Sequence, residues 1–118
     1  MLPHPARLRN RAEFSEAVRR GARAATPALV LHLVAGSPDE PARAGFVVTR
    51  AVGPAVTRNL VRRRLRHLVR DRLSLMPVGS RLVVRATPAA AAASYSTLGS
   101  QLDRALARLT GATGPVAP

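Results

Sequence analysis

Residues 45–70 read GFVVTRAVGPAVTRNLVRRRLRHLVR, and the change of pattern within this stretch decides the fold. It opens as GFVVT (45–49), a short β-branched run of strand type. It passes through RAVGPAV (50–56), an irregular connection containing Gly53 and Pro54. It then turns helical over 57–75, with Pro77 and Gly79 ending the segment. At 100° per residue, Val61, Leu65, Leu68, Val69 and Leu75 fall in one arc that should face a sheet. Arg58, Arg62, Arg66 and Arg70 lie four apart and form a ridge on the other side, joined by Asn59 and Arg63.

Like charges at that spacing repel, and Asp71 is the only acid in the segment, so pairing within the helix cannot neutralise the row. A phosphate backbone can, because the planar guanidinium binds phosphate oxygens two at a time. Other readings of the row are weaker. A merely solvated helix face normally mixes signs. A membrane-surface helix would want aromatic residues, which 57–75 lacks, and would need the apolar arc that covers the sheet. Nuclear-localisation and heparin-binding patches share the composition. Duplex DNA read in the major groove usually comes with a helix-turn-helix pair, whereas a strand and a loop precede this helix. Charge alone does not separate DNA from RNA.

Outward from this stretch, LVLHLV (29–34) follows Pro27 as a strand, and AGSPDEPAR (35–43) is turn-rich, which predicts a hairpin joining 29–34 to 45–49. Asn10 is placed to cap a first helix, with Glu13 at capping-box spacing, Phe14, Ala17 and Val18 at helical intervals, and Gly21 closing it. Residues 1–9 read as a flexible basic arm. RLVVR (81–85) is a third strand, and the alanine-rich 88–93 fits a loop or a helix. A last helix over 96–109 puts Leu98, Leu102, Ala105, Leu106 and Leu109 on one side, and 111–118 reads as a disordered tail. The result is one α+β domain over 10–110, with helices covering a small mixed sheet.

The 118 residues carry nineteen arginines, no lysine and six acids, for a net charge of +13. Codon bias explains arginine in place of lysine but not the shortage of acids, so the excess implies a polyanionic partner. Without cysteine the chain has neither a disulfide framework nor a thiolate metal site. The basic, proline-containing start lacks the apolar core of a signal peptide, and no run approaches the ~20 apolar residues of a membrane span. A cytoplasmic, soluble protein without membrane attachment is expected. Residues for catalysis are scarce. Glu13 with Glu16, Asp39 with Glu40, and the histidines His4, His32 and His67 show no metal-ligand spacing, and the serines have no evident base. No catalytic or metal-binding residue is assigned.

The stretch 45–70 resembles the protein component of bacterial ribonuclease P. The likeness rests on Thr49 and Arg50 ending a strand, then Val52, Gly53, Ala55 and Val56 in the connection, then Arg58, Asn59, Arg62, Arg63 and Arg66 in the helix. It spreads over roughly 7–110 through Phe14, the acidic turn and the leucine-spaced last helix. The resemblance implies a fold of order α-β-β-β-α-β-α, like a ribosomal-protein RNA-binding domain with a left-handed βαβ crossover. A fourth strand is therefore expected, with 50–56 or 79–85 as its candidate positions. It also implies a subunit of an endoribonuclease whose catalytic groups and Mg²⁺ lie in a large RNA, which removes the 5′ leader from precursor tRNA. Arg58, Asn59, Arg62, Arg63, Arg66 and Arg70 would hold the catalytic RNA. Phe14, Val18, His32, Thr49 and Arg50 would meet the leader, and no obligate protein partner is implied.

The chain departs from the family pattern at Leu60, where an arginine is usual, and at Pro54, where asparagine is common. Val18 and His32 stand at two positions that are usually aromatic. Only Phe14 then offers a full apolar ring, so Arg50 and its neighbours should carry more of the leader affinity. His32 fits either a stacking role or that of a buried strand histidine. A ribosomal or general RNA-binding protein is the alternative on the same type of fold.

Overall fold

The computed structural model describes residues 11–111 of the 118-residue chain. Within them the order is α1 (Arg11–Arg20), β1 (Ala22–Ala25), β2 (Leu29–Val34), β3 (Arg43–Val47), α2 (Ala55–Arg70), β4 (Arg81–Ala86) and α3 (Tyr95–Thr110). The architecture is α+β, α-β-β-β-α-β-α. The strands form one sheet in the order β1-β2-β4-β3. β1 with β2 and β2 with β4 are antiparallel, while β3 and β4 run parallel. Parallel neighbours need a long crossover, and α2 supplies it. The arm at 1–9, the Asn10 cap and the tail beyond Gly111 lie outside the described residues.

The fourth strand lies at Ala22–Ala25, not within 50–56 or beside the strand at 81–85. ARAA carries no β-branched or aromatic residue, so its propensity is poor. Pairing with β2 makes it a strand, Ala22 opposite Leu33 and Ala25 opposite Val30.

The expected hairpin between 29–34 and 45–49 does not form, because β4 lies between those strands. The tight turn belongs instead to β1 and β2, where the Thr26 N–H and hydroxyl both donate to the Leu29 carbonyl at 2.7 and 3.1 Å. Residues 35–42 cross the start of β4 at close range. A Cβ on Gly79, whose φ is +77°, would stand 1.8 Å from the Ser37 carbonyl oxygen. Only glycine fits there. A turn-rich segment between two apolar runs serves a hairpin and a crossing equally well, so the strand order has to come from the sheet.

Strand alternation gives the sheet two different faces. Leu29, Leu31, Leu33, Ala44, Leu82 and Val84 bury against Val61, Leu65, Leu68 and Val69 of α2 and against Leu98, Leu102, Ala105 and Leu106 of α3. The opposite face is thin: Val83 and Ala17 are buried there, flanked by Phe14, Val34 and Val47. Each fully buried leucine or valine contributes on the order of 1.5–3 kcal/mol, so the α2/α3 layer carries most of the stability. Gln101 pins α3 to the β1–β2 turn by accepting the Ala28 N–H at 2.8 Å.

Several boundaries differ from the pattern reading, each for a local reason. β3 stops at Val47, and the chain turns where the Val52 N–H closes on the Thr49 carbonyl at 3.0 Å. α2 begins at Ala55 because Pro54, with φ −66°, occupies its N-cap, where a missing N–H removes no helical bond. It ends at Arg70, not at residue 75. Arg72 leaves the helix and donates to the Leu68 carbonyl at 2.8 Å and to Asp103 at 2.5 Å. Leu73–Leu75 is a 3-10 turn, and Leu75, half exposed, drops out of the core-facing arc. The alanine-rich segment is a 3-10 turn at Pro88–Ala91. Ser94 caps α3 by accepting the Thr97 N–H at 3.0 Å, so that helix starts at Tyr95.

The Phe14 ring lies directly on Gly45, where a Cβ would come within 2.3 Å of its Cζ. Gly45→Ala should therefore destabilise the fold by about 1–3 kcal/mol, the usual penalty for overpacking. A urea unfolding midpoint equal to that of the unmodified chain would show that Phe14 does not depend on this contact.

Candidate nucleic-acid interface

The acids decide where positive charge survives. Glu13 pairs with Arg43 at 2.7 Å and reaches Arg81 at 3.8 Å, Glu16 pairs with Arg81 at 2.5 Å, and Glu40 meets Arg43 at 3.3 Å. Asp103 pairs with Arg72 at 2.5 Å and Asp71 with Arg70 at 3.5 Å. These contacts gather at the start of α1 and where the end of α2 meets α3. The α2 segment itself carries no acid to balance its arginines, the first being Asp71 just past its end.

On α2 the core takes Val61, Leu65, Leu68 and Val69, which turns the arginine ridge toward solvent. Arg58 folds back to donate from Nε to the Gly53 carbonyl at 3.1 Å, and Arg62 donates to the Asn59 side chain at 3.1 Å. Arg58, Arg62 and Arg66 are half-buried, their stems lying along the helix, while Arg63 and Arg70 are exposed. Each hydrogen bond engages only part of a guanidinium's five donors, so the remaining N–H groups are available to phosphate oxygens.

A groove of about 300 Å³ runs between α1 and the sheet, lined by Phe14, Ser15, Val18, Arg19, Val47 and Arg85. Phe14 and Val18, one turn apart on α1, make its apolar wall, and Val47 and Arg85, partners in the β3–β4 register, make its floor. Thr49 and Arg50 stand exposed just past Val47, outside the lining. His32 is in register with Arg23 on β1 and Val83 on β4 and is only 3% exposed. Neither of its ring nitrogens has a partner. Burial lowers its pKa from the ordinary 6.5, and the nearby charges of Arg85 and Arg23 lower it further. The buried strand histidine is the reading that fits this placement.

Arg19, Val47 and Arg85 are absent from the sequence expectation. A signal for Arg85 was present in RLVVRA, where Arg81, Val83 and Arg85 share a face by alternation, but which face meets α1 depends on the strand order. An apolar wall opposite a cationic floor suits an extended single strand, with bases against Phe14 and phosphates against Arg19 and Arg85. Among the described residues no three His, Asp or Glu side chains gather as ligands for a metal ion. Among the same residues no helix is long and apolar enough to cross a membrane.

Comparison with known proteins points the same way. A family profile described as Ribonuclease P matches residues 2–110. The chain is 55% identical to the ribonuclease P protein component of Streptomyces avermitilis, over 94% of this chain and 97% of that one. It is 56% identical to that of Streptomyces bikiniensis, with the same coverage. Its fold matches the Staphylococcus aureus RNase P protein with a TM-score of 0.79 at 21% identity, covering 89% of this chain and 97% of the other. The RNase P protein from Thermotoga maritima matches with a TM-score of 0.76 at 25% identity, over 86% and 96% of the two chains.

The buried histidine carries a pH signature. Its folded pKa lies below the unfolded value near 6.5, so as pH falls the unfolded chain takes up the proton first. Stability should therefore fall as pH drops through about 6.5, and the fall from this group should cease below the folded pKa. In urea unfolding between neutral and mildly acidic pH, His32→Phe should flatten that slope. Equal slopes would mean that His32 titrates alike in both states.

Proposed function

The chain belongs to the ribonuclease P protein family, and from that premise we propose that it serves as the protein subunit of the enzyme, holding the catalytic RNA and the 5′ leader of precursor tRNA. The observation that carries this reading is the arginine ridge of α2, turned outward and without an acid before Asp71. Arg58, Asn59, Arg62, Arg63, Arg66 and Arg70 take the phosphates of the catalytic RNA. The groove beside α1 takes the leader, with Phe14 and Val18 as its wall. Arg50 and Thr49 lie at its exit, and Arg85 and Arg19 extend the set. His32, buried within β2, is not among the residues that line the groove.

The division of labour follows from charge and chemistry. Among the described residues the chain offers arginines and an apolar wall but no gathered carboxylates, and on this reading the RNA holds the Mg²⁺ of the reaction. Binding positions the scissile phosphodiester by anchoring the nucleotides on its 5′ side, which lowers the entropy lost on reaching a reactive geometry. Positive charge beside two RNAs also relieves their mutual repulsion. The place of action is the cytoplasm.

In reconstitution, the chain alone should leave precursor tRNA intact and should restore cleavage by its cognate RNA at low Mg²⁺. Absence of rescue would defeat the reading, and co-purification with ribosomes in place of one large RNA would favour a ribosomal role. Replacing Arg62 and Arg66 by Ala should weaken catalytic-RNA binding and reduce its salt dependence by about two released ions. An unchanged salt slope would remove the ridge from the phosphate contact. Phe14→Ala should weaken precursor tRNA more than mature tRNA, by about 1–3 kcal/mol if one base stacks on it. Equal loss for both substrates would take Phe14 out of the leader site.

A further inference from the structure

A second groove lies on the other flank of α2, away from the α1 face. It measures about 300 Å³ and is lined by Leu60, Arg63, Arg64 and His67 of α2 and by Tyr95, the first residue of α3. No acid is among these lining residues. Tyr95 is 44% exposed, though a tyrosine buries well and the apolar core lies close by. Arg64 is held in place, since its Nη1 donates to the Ala93 carbonyl at 3.3 Å, two residues before the tyrosine. Leu60 and Arg63 also line an adjoining hollow with Val56 and Asn59, where Val56 is 81% exposed. The two hollows therefore make one track along the helix from Val56 to Tyr95, alternating apolar and basic groups.

We propose that this track is an additional RNA contact in which one unpaired base of the catalytic RNA stacks on Tyr95 while its phosphates meet Arg63 and Arg64. The assignment rests on the RNA-binding function proposed above. Its specific content is the ring. Arginines alone hold a backbone of any structure, whereas an exposed aromatic beside them prefers a base free of its own stack. The volume has room for one ring system and not for a duplex, and the lining has the sign of charge that a nucleotide requires. Leu60 offers an apolar edge, and His67 is a hydrogen-bond group for a base or a ribose hydroxyl. Arg63 joins the track to the Arg62 and Asn59 flank, so a strand leaving the ridge can enter the groove without crossing the sheet.

The test uses a property of the composition: the chain has one tyrosine and no tryptophan, so tyrosine emission reports Tyr95 alone. The full-length protein is titrated with a labelled short oligoadenylate, following both tyrosine emission and the anisotropy of the label. An RNA duplex of equal length serves as control. The oligoadenylate should quench the emission as it binds, while the duplex binds through charge and leaves the emission largely unchanged. Tyr95→Ala should weaken cognate ribonuclease P RNA about tenfold, and Tyr95→Phe, which keeps the ring, should bind as the unmodified chain does. Circular dichroism of both variants checks that α3 is intact. Absence of quenching at oligoadenylate concentrations that also fill the α1 groove, or equal affinity of the Ala and Phe variants for the cognate RNA, overturns the Tyr95 site. If cleavage is still rescued, the subunit reading stands and only this site falls. If the cognate RNA does not bind at all, both fall.

Discussion

Helix α1 is held over the sheet by charge more than by buried area. Ala17 is its one buried residue, and Phe14 is only partly covered. Glu13 and Glu16 meet Arg43 and Arg81 at the helix's first turns, with the Glu13 and Arg43 side chains 13% and 14% exposed. At that burial, removing one partner would leave a charge without compensation, which destabilises more than an open surface pair would. The pairs anchor the start of α1, and Phe14 resting on Gly45 sets its height above the sheet. Beyond Phe14 the helix and the sheet leave an opening, which is the groove. The docking interaction thus creates the space next to it.

The same pairs shape the electrostatics of the whole surface. Six acids serve nineteen arginines, and the fold places most of the acids at α1's start and at the α2–α3 corner. What remains is positive on α2, on the far end of the α1 face and along the Tyr95 track. Such a surface repels itself until an anion arrives, and the apolar layer between the sheet and α2 with α3 must hold the fold meanwhile. Twenty buried apolar residues form that layer, whereas the α1 side buries two. The groove beside α1 lies on the thin side, while the arginine ridge and the Tyr95 track lie on the outer surface of the strong one.

Most of the ridge was legible in residues 45–70, because a helix writes its faces into one continuous stretch. Residues three and four apart must share a side, so Arg58, Arg62, Arg66 and Arg70 lie together whatever surrounds them. The apolar positions Val61, Leu65, Leu68 and Val69 were readable for the same reason. The site beside α1 was half legible. Phe14 and Val18 share a helix turn, but Arg85 and Val47 come from strands far apart in sequence and join them only through the sheet order. β1 was hidden because ARAA has no strand preference of its own, and Leu75 misled because Arg72 ends α2 early by bonding to Leu68 and Asp103.

The sequence by itself determined the polyanionic partner class, the amphipathic arginine helix, the likeness to a known family and most of the element types, all of which rest on composition or on neighbours within a few residues. Only the tertiary structure decided that β4 inserts between β2 and β3, that His32 is buried with the charges of Arg23 and Arg85 nearby, and that Tyr95 stands beside Arg63 and Arg64. Strand pairing and helix contacts bring together residues tens of positions apart. Their partners are chosen by packing and hydrogen bonding across the chain, which no local periodicity records. The arginine helix thus follows from its own repeat, and the grooves on its flank and beside α1 follow from what the fold sets next to it.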